Sequence, residues 1–221
     1  AGGGEREGEK EKKREGERER ERTKSSFPDE LKETPQELRK RHKRLREEMT
    51  GEEAGRAGEQ ICRKILESDW YKACTVLYGY YPLRKEVDCL PVLRQALQDG
   101  KTVALPRTEE HYQMNFYRIA SLEEVTEGKF HVMEPEKTCE LCKETPGVVL
   151  TPGVVFDKTG GRYGYGKGYY DRYFARYPGL LRVGLAYEHQ LEEALLLQST
   201  DIRMNRVITD GRIWDGTGGT L

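Results

Sequence analysis

The chain has 221 residues, of which 35% are charged, yet 38 Lys and Arg against 39 Asp and Glu leave a formal net charge of only −1. A chain without an excess of positive charge has no general electrostatic attraction for nucleic acid or for an anionic membrane. We therefore expect neither a membrane partner nor a nucleic-acid partner.

The amino end carries no large apolar side chain in residues 1–26, where Glu alternates with Lys and Arg. Such a segment cannot join a hydrophobic core, so we predict a disordered low-complexity tail over 1–26 and one domain over 27–221. Interleaved opposite charges favour a solvated tail over an arm that binds RNA or protein. There is no apolar run of the ~20 residues that a membrane span needs, and no signal-peptide core, so we expect a cytoplasmic protein.

Two helices are predicted before any strand. Pro35 has the position of a first helical residue, and a basic segment follows it. Thr50 and Glu53 have the spacing of a capping box, which predicts a second helix that ends near Leu66.

Strands and helices alternate in the rest of the chain. The predicted strands cover 73–82, 101–108, 114–119, 147–157, 181–188 and 205–211, with a break expected at Pro152 and Gly153. The predicted helices cover 86–100, 169–178 and 189–197, and 121–130 is predicted as a short helix or turn. This alternation predicts an α/β fold: a single three-layer domain with a mostly parallel sheet and helices on both faces. Ligands of such sheets bind at the carboxyl ends of the strands.

Five cysteines are an odd number, in a chain too large to need disulfide bonds for its stability. Cys139 and Cys142 form a C-x-x-C, but the four histidines are not at zinc-ligand spacing. We therefore expect this pair to be reduced cysteines in a surface loop.

The segment 151–174, "TPGVVFDKTGGRYGYGKGYYDRYF", places a glycine-rich loop between a predicted strand and a predicted helix. Glycine tolerates positive φ and lets a ligand approach the main chain, whose N–H groups bind anions at a helix start. Arg162 and Lys167 add two cations suited to phosphate oxygens. We favour a phosphate site over the alternative, a flexible surface hairpin.

Two familiar nucleotide motifs are excluded. Gly161 to Lys167 reads G-x-x-x-x-G-K, but Gly168 stands where a P-loop needs Ser or Thr, and no G-x-G-x-x-G is present. Asp171 has two interpretations, a carboxylate that complements the helix dipole or a magnesium ligand, and the neighbouring loop favours the second. The tyrosines of the loop are either packing residues or a stacking surface for a planar heterocycle.

The segment "PGVVFDKTGGRYGYGKGYYDRY" resembles the signature of the 5-formyltetrahydrofolate cyclo-ligase family. The resemblance extends to "LRKRHKRLRE", "YYPLRKEVDCLPVLRQALQDGKTVALPR" and "EGKFHVMEP", roughly residues 34 to 211. It implies a ligase of one-carbon folate metabolism with ATP as co-substrate and Mg²⁺ as cofactor. In such an enzyme ATP phosphorylates the formyl oxygen of 5-formyltetrahydrofolate, and ring closure gives 5,10-methenyltetrahydrofolate.

The resemblance also implies roles for single residues. Arg162 and Lys167 would be catalytic, and Asp171 and Asn205 would bind the metal. Substrate contacts would come from Tyr81, Glu86, Tyr165 and Tyr169. ATP contacts would come from Arg39, Arg162, Tyr163, Gly164, Tyr165, Gly166, Lys167, Gly168, Tyr169 and Tyr170.

Two departures from the family pattern leave alternatives open. Pro35 stands where a lysine is usual, and Asn205 where an aspartate is usual, so weaker metal binding is expected because an amide brings no charge. One alternative is a binding module for nucleotide or folate with weakened catalysis and an interaction tail. The other is a different ATP-dependent transferase that shares the loop. The sequence does not define the oligomeric state.

Overall fold

A computed structural model describes residues 33–128 and 131–216. Every element described below belongs to the compact unit that begins at residue 35. The predicted tail over 1–26 lies outside the described residues. In the part of the chain that is described, no helix is long and apolar enough to cross a membrane.

Helices and short strands alternate along the described chain. The helices are α1 (Pro35–Glu48), α2 (Gly51–Glu67), α3 (Asp69–Ala73), α4 (Leu90–Gln98) and α5 (Tyr169–Arg176). The strands are β1 (Val76–Tyr78), β2 (Thr102–Thr108), β3 (Met114–Ile119), β4 (Val125–Glu127), β5 (Met133–Pro135), β6 (Leu141–Cys142), β7 (Val148–Thr151), β8 (Val155–Asp157), β9 (Arg162–Tyr163), β10 (Leu181–Leu185), β11 (Leu191–Glu192), β12 (Arg206–Ile208) and β13 (Ile213–Asp215). Two 3₁₀ turns cover Glu110–Tyr112 and Glu188–Gln190.

The main sheet has eight strands in the order β13-β12-β10-β7-β1-β2-β3-β6. The five strands from β12 to β2 are parallel, and β13, β3 and β6 are antiparallel additions at the two edges. A second sheet joins β11, β8 and β9, and a third pairs β4 with β5. The predicted mostly parallel sheet is confirmed.

Helices cover both faces of the main sheet because successive strand residues point to opposite sides. Leu77 belongs to a buried cluster that also contains Ile61 of α2 and Leu93 of α4. Its neighbour Tyr78 belongs to a second cluster that contains Phe174 of α5. The predicted three-layer arrangement is therefore confirmed.

The local signals at two element boundaries are also confirmed. Glu53 N donates to Thr50 Oγ1 at 3.1 Å and Thr50 N donates to Glu53 Oε2 at 2.8 Å, which is the capping box of α2. The apolar segment 147–157 breaks at Pro152 and Gly153, so that β7 joins the main sheet and β8 the second.

The helix predicted over 189–197 is wrong, and the short helix or turn predicted over 121–130 is confirmed in part. Residues 189–197 form no α-helix, because their backbone bonds to the glycine-rich segment: Leu195 N donates to Asp157 Oδ2 at 2.9 Å, and Tyr163 Oη donates to Leu196 O at 2.6 Å. The segment predicted as a short helix or turn over 121–130 has turns followed by strand β4.

The expectation for the C-x-x-C pair is also wrong in part. Cys142 lies on β6 and is 1% exposed, with its Sγ 3.5 Å from the hydroxyl of Tyr78. Pairing of β6 with β3 places this thiol in the core beneath α5. Cys139 is half-buried, and all five cysteines are free thiols.

Candidate active site

The glycine loop, defined here as residues 158–168, is fixed by a buried carboxylate at the end of β8. Asp157 is 1% exposed, and its Oδ1 accepts hydrogen bonds from the backbone N–H groups of Thr159 and Gly161, both at 2.8 Å. Its Oδ2 accepts from Leu195 N at 2.9 Å. Sequence reasoning missed Asp157, although an aspartate followed by Thr-Gly-Gly is typical of a side chain that holds its own turn.

Three glycines of the loop have positive φ, which only glycine adopts without strain. Gly160 has φ +87°, Gly166 +92° and Gly168 +68°. At Gly160 a Cβ atom would also overlap the backbone oxygen of Met204, so close approach of two backbone segments requires glycine there. Gly168 is the N-cap residue of α5, which directs the loop into the helix.

Arg162 is a buried cation of the loop, with 5% of its side chain exposed. Its Nη1 donates to Pro152 O at 3.2 Å, and its Nη2 lies 3.5 Å from Asp171 Oδ2. Burial lowers the pKa of this guanidinium, and the charge of Asp171 acts in the opposite direction. Its Nε is buried with no hydrogen-bond partner among the described residues, which fits an anionic ligand beside it.

Asp171 lies in the first turn of α5 and has one strong and one weak contact. Its Oδ1 accepts from Ile202 N at 3.0 Å, whereas Oδ2 has the long contact with Arg162. Mg²⁺ is commonly held by one or two carboxylates together with substrate phosphates. The weakly held Oδ2 fits such an ion, although the described residues contain no group of three or more His, Cys, Asp or Glu arranged around a metal.

Asn205 has a different set of partners from Asp171. Its Oδ1 accepts from Arg182 N at 2.8 Å, and its backbone N–H donates to Arg182 O at 2.8 Å. Asn205 precedes β12, so these bonds extend the pairing of β12 with β10. Its role as a metal ligand stays a prediction.

Glu86 follows β1 and is 7% exposed. Its Oε2 accepts from Leu83 N at 2.8 Å, and its Oε1 accepts from the hydroxyl of Tyr165 at 3.0 Å. Burial raises the pKa of this carboxyl, while the hydrogen bond from Leu83 and the charge of Arg46 act in the opposite direction. The structure thus brings Glu86 and the loop tyrosine together. Tyr81 is half-buried beside the hydrophobic cluster of the α2 face.

The remaining predicted residues belong to the loop or contact its neighbours. Arg39 Nε donates to Gly164 O at 2.8 Å, and its guanidinium lies 5.0 Å from the centre of the Tyr163 ring. The Nζ of the exposed Lys167 lies 5.7 Å from the centre of the Tyr112 ring. The centre of that ring lies 6.4 Å from the centre of the Tyr169 ring. Tyr170 packs under Arg162, with 5.3 Å between guanidinium and ring centre.

Arg46 is a residue of this site that sequence reasoning missed. It is 2% exposed, and its Nη2 donates to the Tyr165 hydroxyl at 2.8 Å. The basic segment after Pro35 contains many Lys and Arg residues, so the sequence did not single out Arg46. Its spacing of seven residues from Arg39 was the available signal, since i and i+7 lie on one face of a helix.

A separate open cleft of about 480 Å³ lies along α1 and α2. Met49, His189 and Asp210 are among its lining residues, and none of the lining residues belongs to the glycine loop. The candidate site therefore rests on the contacts of the loop and not on the size of a cavity.

A mostly parallel α/β sheet with buried cations around a glycine-rich loop is typical of enzymes that hold a phosphorylated ligand. The model of the 5-formyltetrahydrofolate cyclo-ligase family matches residues 31–210. The chain belongs to this family.

Relatives with known names agree with that assignment. The chain is 29% identical over 195 residues to a probable 5-formyltetrahydrofolate cyclo-ligase of Caenorhabditis elegans, covering 82% of this chain and 95% of the relative. It is 35% identical over 153 residues to the 5-formyltetrahydrofolate cyclo-ligase of Saccharomyces cerevisiae, covering 58% of this chain and 72% of that protein. The NMR structure of Aquifex aeolicus 5,10-methenyltetrahydrofolate synthetase matches with a TM-score of 0.74 and 32% identity, over 84% of this chain and 94% of that chain.

Proposed function

We propose that this chain is an ATP-dependent cyclo-ligase that converts 5-formyltetrahydrofolate into 5,10-methenyltetrahydrofolate. The observation that carries the proposal is Tyr165, which belongs to the glycine loop and donates to the buried Glu86 at 3.0 Å. A loop suited to phosphate and a buried carboxylate suited to a folate ring thus share one hydrogen bond. Membership of the cyclo-ligase family supports the same conclusion.

The reaction has two steps, phosphoryl transfer and ring closure. The formyl oxygen attacks the γ-phosphorus of ATP, a new P–O bond forms, and ADP leaves. N10 then attacks the formyl carbon, the carbon–oxygen bond breaks, phosphate departs with the former formyl oxygen, and N10 loses its proton. Phosphorylation is needed because an amide oxygen is a poor leaving group, and cations stabilise the phosphoryl group during transfer.

The residues divide between the two substrates. Arg162 and Lys167 supply the cations that stabilise the transferring phosphoryl group. Glu86 accepts N–H donors of the pterin, since a carboxylate can accept two parallel hydrogen bonds. The other substrate contacts are Tyr81, Tyr165 and Tyr169. The other ATP contacts are Arg39, Tyr163, Gly164, Gly166, Gly168 and Tyr170.

We also propose that Asp171 holds Mg²⁺ through Oδ2. When bound there, the ion supplies positive charge to the phosphate oxygens. A metal on Asn205 Oδ1 would have to replace or share its bond from Arg182 N, which favours Asp171 as the main protein ligand. The cytoplasmic location stays a prediction.

Turnover of the purified protein tests the proposal. With 5-formyltetrahydrofolate, ATP and Mg²⁺, the near-ultraviolet absorbance of the methenyl product should rise, and it should not rise without ATP. Asp171→Asn keeps an oxygen for Ile202 N but loses the charge, so the Mg²⁺ concentration for half-maximal rate should increase at least about tenfold. Asp69→Asn, at an exposed aspartate that starts α3, is the matched control and should behave as the parent protein.

Absence of product from folded protein at high enzyme and Mg²⁺ concentrations would overturn the proposal. Retained binding of ATP or 5-formyltetrahydrofolate would then favour the binding module. Turnover with an unchanged Mg²⁺ requirement in Asp171→Asn would overturn the metal assignment alone.

A further inference from the structure

Three distant segments of the chain meet at the hydroxyl of Tyr165. Arg46 of α1 donates to this oxygen from Nη2 at 2.8 Å, across 119 residues of sequence. The same hydroxyl lies 3.0 Å from Glu86 Oε1, a residue of the segment after β1. The phenol therefore stands between a buried cation and a buried carboxylate.

The chemistry of the three groups fixes the direction of both hydrogen bonds. A guanidinium has donors and no acceptor, so the Tyr165 oxygen must accept from Arg46. The single proton of the phenol is then available to Glu86, which accepts it at Oε1. Since Oε2 accepts from Leu83 N, each carboxylate oxygen keeps one further lone pair for a ligand.

Burial explains why the arrangement is well defined. Arg46 is 2% exposed and Glu86 is 7% exposed, so neither charge has free access to water. Buried charges are retained where hydrogen bonds or opposite charges compensate them. Arg46 Nη1 also lies 3.4 Å from Gly153 O, at the strand break that leads to the glycine loop, so both Nη atoms have a partner, whereas Nε is buried without one among the described residues.

We propose that Arg46 is a positioning residue of the cyclo-ligase site, which orients the Tyr165 hydroxyl and, through it, the Glu86 carboxylate that receives the folate. The inference rests on the proposed function. Arg46 acts on the substrate through two other side chains, so its loss should weaken folate binding more than ATP binding.

Arg46→Gln, Arg46→Lys and Tyr165→Phe test the inference by steady-state kinetics with each substrate varied in turn. For Arg46→Gln we expect the KM for 5-formyltetrahydrofolate to rise about tenfold and the KM for ATP to stay within about twofold. Arg46→Lys keeps a charged donor without the forked geometry, so its folate KM should lie between those of Arg46→Gln and the parent. Arg44→Gln is the matched control, because Arg44 is on the same helix with 70% of its side chain exposed.

The double variant Arg46→Gln with Tyr165→Phe separates positioning from simple structural support. If Arg46 acts through the phenol, the double variant should have about the same folate KM as the more affected single variant. Three results would each overturn the inference. They are a double variant in which the two rises in folate KM multiply, an equal rise in the KM values for folate and ATP, and an unchanged folate KM in Tyr165→Phe. If Arg46→Gln does not fold, Arg46→Lys, alone and combined with Tyr165→Phe, provides the same comparison, because it keeps a charged donor at this buried position.

Failure of the proposed function would be visible separately. If the parent protein has no turnover, calorimetric titration of 5-formyltetrahydrofolate into the same variants replaces the kinetics. A dissociation constant about tenfold higher in Arg46→Gln, and no further change in the double variant, would still support the positioning role. Equal folate affinity in the parent and in Arg46→Gln would overturn it.

Discussion

Individual buried charges differ in how completely the protein compensates them. Asp157 accepts from backbone N–H groups at both carboxylate oxygens, so it serves the loop and has little capacity left for a ligand. Arg162 keeps a buried Nε without a partner among the described residues, and Glu86 keeps a free lone pair on each oxygen. A buried charge with too few hydrogen bonds costs free energy. Proteins retain such a charge where a bound ligand supplies the missing partner.

Glu86 should make the stability of the protein depend on pH. Burial raises the pKa of its carboxyl above the ordinary value of 4.5, which the unfolded chain regains. Protonation of this group therefore stabilises the fold, and that contribution is lost as the pH rises through the pKa of the folded state. Gln does not titrate, so the melting temperature of Glu86→Gln relative to the parent should increase between about pH 4 and about pH 8. A relative melting temperature that is the same at both values, measured by circular dichroism, would contradict this.

Asp157→Asn should destabilise the fold. Asparagine has an N–H donor where aspartate has its second acceptor oxygen. At least one backbone N–H group that now donates to Asp157 would then face a donor and lose its hydrogen bond. We expect a loss of about 1–3 kcal/mol in the free energy of unfolding, measured with urea. Asp69→Asn provides the exposed comparison, and an equal effect in both variants would show that the buried bonds of Asp157 do not stabilise the loop.

Among the elements, the glycine loop combines two different requirements for glycine. Gly160 has positive φ and also faces the backbone oxygen of Met204, whereas Gly166 has positive φ with nothing within 4 Å of a Cβ atom. The first position needs both the conformation and the absence of a side chain. The second needs only the conformation.

A pair of alanine substitutions separates these two requirements. Gly166→Ala should lower the free energy of unfolding by about 1–2 kcal/mol, the cost of a left-handed L-residue. Gly160→Ala should cost clearly more, because backbone segments must also move apart. Urea denaturation of the two variants measures the difference, and equal losses would mean that the Met204 contact is not restrictive.

For the whole molecule, the match to the family covers residues 31–210 and the compact unit begins at residue 35. The charged segment 1–26 precedes both. We expect its deletion to leave the free energy of unfolding within about 0.5 kcal/mol and kcat unchanged, since it has no apolar side chain to bury. Urea denaturation and the turnover assay measure the two quantities.

A deletion through residue 40 is the contrasting variant, since it removes Arg39 and the start of α1 and should abolish turnover. Loss of stability on removing 1–26 alone would assign that segment to the fold.

Features that depend on neighbouring residues could be predicted from the sequence. The alternation of predicted strands with predicted helices indicated the parallel sheet. Thr50 and Glu53 predicted the start of α2, and Pro152 with Gly153 predicted the break between β7 and β8. Each signal is local, because backbone conformation and capping depend on a few adjacent side chains.

Contacts between distant groups follow from the packing of the layers and could not be predicted from the sequence. Residues 189–197 have helical periodicity, yet Asp157 and Tyr163 provide bonds to their backbone and no helix forms. Arg46 lies in α1, whose many Lys and Arg residues are typical of a surface helix, yet its side chain is buried against Tyr165. Burial and hydrogen bonding between residues 33 to 119 positions apart depend on how the layers pack, and one sequence contains no direct signal for that packing.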